Sequence, residues 1–392
     1  MSEVKHSYVI TGPKIYTDTV VLDNHTLVVC DNKIVAILER HSAALPKDLP
    51  IHHFASEFHL IPGMIDMHIH GANGADVMDG TLESLDTIGH ALFKEGVTGY
   101  LATTMTETTA NIEQALATVK TAMTARVKPN HAKIMGIHLE GPFLSFKQMG
   151  AQQGELIRDP DIALFDRWQQ IAGGHIRMVT VAPELPGAIP FIKHLVKSGV
   201  IASIGHTDAT YAQTQAAIDA GATHATHLFN AMRGIHHREP GTVTALLLDE
   251  RVVPEIIVDG IHLNPAVIQL TVNIKGKDRL ILVTDAMRAK CCGEGVFDLG
   301  GQEVTVREGA ARLSNGVLAG SVLTMNQALV NMLRFTRCSL SDLINMVSAT
   351  PAKQLGAFAH VGSIAVGKAA EWVLLDQHYG VAKVVNTNTP LE

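Results

Sequence analysis

The chain has 392 residues, 46% apolar and 18% charged, with 33 glycines and 15 prolines, a composition that excludes disordered and fibrous classes. Its length suits two or three ordinary domains, or one large barrel with an attachment. The net charge of −7 argues against a polyanion-binding surface, whose affinity rests on clustered lysine and arginine.

No stretch approaches the length of a membrane span, and the opening MSEVKHSYVITGPK lacks the apolar core of a signal peptide. On these grounds the protein is read as cytoplasmic. Cys30, Cys291, Cys292 and Cys338 form no disulfide framework and read as reduced structural thiols. The unusual count is 21 histidines against 5 tyrosines, and histidine is the commonest metal ligand.

Residues 14–39 open the chain with short β-branched runs broken by Gly, Asp and Asn, the pattern of small antiparallel strands. Apolar runs suited to buried parallel strands follow at 61–70, 97–104, 133–140, 176–184, 200–206, 222–229, 253–260 and 279–286. Stretches of helical period separate them, among them LESLDTIGHALFKEG, closed by Gly96, and NIEQALATVKTAMTARV. Eight strand–helix units in about 230 residues match a (β/α)8 barrel, although a doubly wound open sheet gives the same local alternation. Residues 296–320 read as a hairpin excursion after the last of these strands. Beyond it helical period returns, with Ser339 and Asp342 at capping-box spacing. Residues 361–386 repeat the short-strand pattern of the start. The expected organisation is a small β-domain from 1–58 and 358–392 beside a barrel over 59–357.

The chemistry-bearing residues fall at predicted strand ends. His68 and His70 are two apart on the first barrel strand, so both imidazoles project to one side, as two nitrogen ligands of one metal would. Glu140 ends the third strand after KIMGIHL, where a carboxylate is costly to bury unless a cation meets it. His206 and His227 close the fifth and sixth strands. With Glu140 they describe an open catalytic zinc-type site of three protein ligands plus water. His224 is expected to face the other way. Asp285 ends the eighth strand, placed to take a proton from an attacking water and return it to a leaving nitrogen.

The ordered motifs IPGMIDMHIHG, GIHLEGPF, GHT, THLFNAM, REPG, DGIHL, VTDAM and LAGSVLTMNQA resemble the N-acetylglucosamine-6-phosphate deacetylases of the amidohydrolase superfamily. The resemblance covers roughly residues 60–356, and both terminal β-segments fit the family's small sandwich domain. It implies hydrolysis of the acetamide of a 6-phosphorylated amino sugar. It matches Glu140, His206 and His227 to the ligands of the main metal, His68 and His70 to those of a second metal found in some members, and Asp285 to the general acid/base. The divalent ion is expected to be Zn, with Fe, Mn or Co chemically admissible.

The resemblance further assigns phosphate recognition to Asn230, Ala231 and Arg238, with His262 nearby, the arginine coming from the neighbouring subunit of a homodimer. Backbone N–H groups at a helix start plus a guanidinium suit a phosphate. Gln152 stands where some members carry a histidine that polarises the substrate carbonyl, and an amide supplies less positive charge there. Leu318 and Met325 are expected to pack against the acetyl methyl. Related cyclic-amide hydrolases bridge two metals with a lysine on the fourth strand, and IRMVTVAPE contains none. The galacto epimer of the substrate, and a non-catalytic sugar-phosphate-binding descendant, remain alternatives.

Overall fold

A computed structural model describes residues 6–125, 127–389 and 391. Residues 1–5 of the quoted opening, and Arg126 near the end of the second predicted helix, lie outside the described residues. Eight parallel strands follow one another around a single sheet: β1 (Met64–Ile69), β2 (Val97–Thr103), β3 (Lys133–Glu140), β4 (Ile176–Val181), β5 (Ile201–Ile204), β6 (His224–Ala225), β7 (Val253–Ile257) and β8 (Ile281–Val283). The sheet closes into a barrel between β1 and β8. There Asp285 N–H donates to His68 C=O at 2.8 Å, His70 N–H donates to Ala286 C=O at 2.9 Å, and Ile69 bridges Ala286 in parallel. This closure resolves the choice between barrel and open sheet.

Every residue of β1 and β2 is buried, because one face packs inside the barrel and the other under helices, which explains their unbroken apolar runs. The outer layer comprises α1 (Leu82–Lys94), α2 (Thr109–Thr124), α3 (Ile162–Ile171), α4 (Ala188–Lys197), α5 (Tyr211–Asp219), α6 (Gly241–Leu248), α7 (Pro265–Lys275) and α8 (Met325–Phe335). Thr81, Thr108, Asp161, Thr210 and Asn264 each cap a helix by accepting a backbone N–H, satisfying a donor the first turn leaves free. The Ser339–Asp342 capping box forms as its spacing suggests.

The predicted strand at 61–70 is two strands. His59–Pro62 pairs with Trp372–Leu375 and Lys14–Tyr16 in a five-stranded sheet, whereas β1 belongs to the barrel. Gly63 separates them, where a Cβ would meet Thr98 Oγ1 at 2.2 Å. A four-stranded sheet, built from Tyr8–Thr11, His25–Cys30, Lys33–Glu39 and Ile51–His53, shares a core with it through Tyr8, Leu27, Ile34 and Trp372. Trp372 Nε1 donates to the Tyr8 hydroxyl at 3.0 Å inside that core.

The excursion after β8 is a three-stranded antiparallel sheet, Gly295–Leu299, Gln302–Arg307 and Ala310–Leu313. It leans on the loop after β3: Gln302 Nε2 donates to Ala151 C=O at 2.6 Å, and Gln153 Nε2 donates to Gly300 C=O. Among the described residues no helix is long and apolar enough to cross a membrane.

Candidate active site

The C-terminal ends of the barrel strands surround a cavity of about 260 Å³. Its floor carries His70, Glu140, His206, His227 and Asp285, and its walls include Gln152, His262 and Leu318. His68 lies directly beneath, fully buried.

Two three-residue clusters share this floor. In the first, His206 Nε2 and His227 Nε2 lie 3.1 Å apart, at 3.3 Å and 3.1 Å from Glu140 Oε1. In the second, His68 Nε2, His70 Nε2 and Asp285 Oδ1 are all 3.3 Å from one another. Glu140 stands between them, with Oε1 3.5 Å from His68 Nε2 and Oε2 3.3 Å from His70 Nε2. Two imidazole nitrogens at such separation need a proton or a cation between them. The donor set of two Nε2 and one carboxylate is that of an open catalytic metal site, so the residues fit a divalent ion.

His206, His227 and Asp285 have φ of 46°, 34° and 47°. Non-glycine residues seldom take the left-handed region, and such strain gathers at functional sites where the surroundings enforce it. Here the enforcement is visible at Asp285. Thr284 donates its hydroxyl to Asp66 Oδ2 at 2.6 Å, and Ser321 N–H donates to Asp285 C=O at 2.7 Å. After Glu140 the chain turns away at Gly141 (φ 81°), where a Cβ would strike Thr106 Oγ1.

Burial opposes a charged imidazole at His68, but the Asp285 and Glu140 carboxylates outweigh it and hold the group well above its ordinary value. The same balance lifts His70 to about 9, through hydrogen bonds to Asp285 and Glu140. Burial likewise opposes charge on Asp285, yet the His68 charge and the His70 hydrogen bond draw it down to about 2. In chelator-treated protein, the stability contributed by protonated His70 is therefore complete below 6.5, its ordinary value, and lost as pH rises through about 9. The melting temperature of the chelated protein is expected to fall across that window. Added divalent ion should flatten the fall, because ligation uses the neutral imidazole. A level profile without metal would contradict this electrostatic account.

Gln152 does not face the cavity as a free donor. Its Nε2 donates to Glu140 Oε2 at 2.9 Å, and its Oε1 accepts from Thr106 N–H at 2.7 Å, so the amide is spent on orienting Glu140. Leu318 lines the cavity, but Met325 does not. Met325 begins α8, and its side chain is fully buried in the barrel core, because the first turn of that helix faces inward. Asn230 and Ala231 border the cavity in a run of turns, not at a helix start: the next helix begins at Gly241, and Asn230 N–H is bonded to His227 C=O. His262 reaches the cavity wall with Nδ1 2.6 Å from Asp259 Oδ2. Arg238 is exposed in the loop before α6, against His237, and borders a separate surface hollow beside Asp208 and Arg233. His224 is buried away from both clusters.

Sequence reasoning missed Glu255, whose carboxylate lies 3.2 Å from His68 Nδ1, although a charge within VPEIIV is the anomaly that singled out Glu140.

The amidohydrolase family model matches residues 59–391. The chain belongs to the amidohydrolase family. This amidohydrolase is 45% identical over 371 residues to the N-acetylglucosamine-6-phosphate deacetylase of Bacillus subtilis, covering 94% of this chain and 93% of that protein. It is 36% identical to the N-acetylgalactosamine-6-phosphate deacetylase of Escherichia coli O157:H7, over 96% and 97% of the two chains. It superposes with a TM-score of 0.91 and 35% identity, over 98% of each chain, on a mutant N-acetyl-D-glucosamine-6-phosphate deacetylase from Mycobacterium smegmatis in complex with N-acetyl-D-glucosamine-6-phosphate. Amidohydrolases depend on metal ions, in keeping with the two clusters.

Proposed function

We propose that this amidohydrolase removes the acetyl group of N-acetyl-D-glucosamine 6-phosphate, releasing acetate and D-glucosamine 6-phosphate, as a cytoplasmic step of amino-sugar catabolism. The observation that carries the reading is the convergence of Glu140, His206 and His227 with His68, His70 and Asp285 at one cavity floor. The 45% identical relative of that name supports the substrate.

Glu140, His206 and His227 would hold the main divalent ion, with Zn the expected metal, and His68, His70 and Asp285 a second. A bound cation polarises the acetamide carbonyl and makes water a nucleophile near neutral pH. Asp285, ionised in its pocket, accepts the proton of the attacking water. It then delivers that proton to the sugar nitrogen as the C–N bond breaks, so the amine leaves neutral. Gln152 fixes the Glu140 carboxylate throughout. Leu318 forms the wall against the acetyl methyl and limits acyl length.

His262, Asn230 and Ala231 receive the phosphate end of the sugar, joined by Arg238 of a neighbouring subunit in a homodimer. Arg238→Ala is expected to raise KM for the phosphorylated sugar about 10–100-fold, the worth of one or two hydrogen bonds between charged groups, with kcat nearly unchanged. Steady-state kinetics that leave KM unmoved would remove the arginine from the site.

The galacto epimer is a second reading, favoured by the 36% identical relative with that specificity. Acetate release from the two epimers, each with and without its 6-phosphate, tests the assignment. Turnover concentrated on the phosphorylated gluco sugar is expected. Preference for the galacto epimer would move the substrate, and no turnover of either would refute the function.

A further inference from the structure

Glu255 sits in the middle of β7, in an apolar run, with no exposed surface. A carboxylate in that setting is costly unless a partner compensates it. Its Oε2 lies 3.2 Å from His68 Nδ1 and accepts from His227 N–H at 3.4 Å, while its Oε1 has no hydrogen-bond partner. One carboxylate thus touches a member of each cluster, the ring of His68 and the main chain of His227.

The orientation of His68 follows from these contacts. An imidazole with a carboxylate acceptor at Nδ1 carries its proton there, which leaves Nε2 with a lone pair for a cation. That Nε2 is the atom 3.3 Å from His70 Nε2 and from Asp285 Oδ1. Asp66 Oδ1 accepts the His68 N–H at 3.2 Å, and the His138 ring packs edge-on at 4.6 Å, so backbone and ring plane are held as well. The other three histidines lack this support among the described residues. His206 Nδ1 meets the Gln148 carbonyl at 2.9 Å, and Nδ1 of His70 and of His227 has no partner.

We propose that Glu255 is the positioning residue that makes the His68–His70–Asp285 cluster a working second cation site. It fixes the His68 tautomer and raises the basicity of Nε2. The inference rests on reading that cluster as a cation site. It adds that the site's affinity is set from behind, by a strand that contributes no ligand.

The test is metal binding, measured apart from catalysis. Chelator-stripped protein is titrated with Zn²⁺ in competition with a chromophoric chelator, and ions per subunit are counted by elemental analysis. The unsubstituted protein should take two ions. Glu255→Ala should bind the second about 10–100-fold more weakly, with the first unchanged. Glu255→Gln keeps an acceptor without the charge and should fall between; being isosteric, it carries the test if the alanine variant does not fold. Both variants holding two ions as tightly as the parent would overturn the inference while leaving the second site standing. Parallel loss of both ions would also overturn it, by reducing Glu255 to a structural role. A single ion in the unsubstituted protein would overturn both the second-site reading and this inference.

Discussion

Asp285→Asn is expected to lower kcat by about 10²–10⁴-fold while KM moves little. Asparagine keeps the shape of the side chain and tolerates the left-handed backbone of this position, so strain is not the cause of the loss. What it removes is the ability to take a proton. In the native site Asp285 Oδ1 lies 3.3 Å from His68 Nε2 and from His70 Nε2; burial pushes the carboxyl up, but those imidazoles outweigh it and keep the group down at about 2. It is therefore ionised before water attacks, and in the variant nothing replaces it. The ion at Glu140, His206 and His227 should remain, because none of those ligands is touched. Steady-state kinetics beside elemental analysis separates the two effects. Unchanged kcat would remove Asp285 from the chemistry, and loss of the main ion would make the effect one of metal binding.

Glu140→Ala should be comparably damaging, by a different route. Glu140 is 2% exposed, and its two oxygens face His68, His70, His206 and His227 at 3.1–3.5 Å. Without it, four imidazoles converge with no carboxylate of the main cluster to draw a cation among them. The protein is expected to lose its tightly held ion and, with it, several kcal/mol of transition-state stabilisation, about 10³-fold in rate. Glu140→Gln should do little better. Its amide keeps a single oxygen and no charge, so either Gln152 Nε2, which now faces an acceptor at 2.9 Å, or the imidazoles of the clusters would meet its N–H groups. A Glu140→Ala variant that retained one ion per subunit after dialysis would contradict this description of the floor.

The residues of the two candidate metal clusters stood out in the sequence because their signals are local. Two histidines at i and i+2 on a strand share a face whatever the fold, and Glu140 is a charge at the end of an apolar run. Glu255 carried the second of these signals and was overlooked, since it lies mid-strand and not at a strand end. The barrel was expected from the sequence, but its closure could not be read from alternation alone, because alternation of strands and helices is common to barrels and open sheets. Closure depends on the β1–β8 bonds, between residues more than two hundred apart. The positive φ of His206, His227 and Asp285 has no sequence mark either, for it is imposed by neighbours such as Ser321. Gln152 shows the same limit. Its place where some family members carry a histidine suggested a carbonyl donor, but the fold of the loop after β3 turns it onto Glu140 and Thr106. Met325 packs in the barrel core and does not line the cavity, since lying in a motif does not tell which side of a helix meets the core.

Hydrolysis of the acetamide should depend on a divalent ion held by these side chains. The most direct test is acetate release from N-acetylglucosamine 6-phosphate by chelator-stripped protein, followed as Zn²⁺ is added back in known amounts. Negligible turnover is expected at zero metal, with recovery in proportion to ions bound and none in Glu140→Ala. Full turnover by protein verified to contain no metal would contradict that dependence.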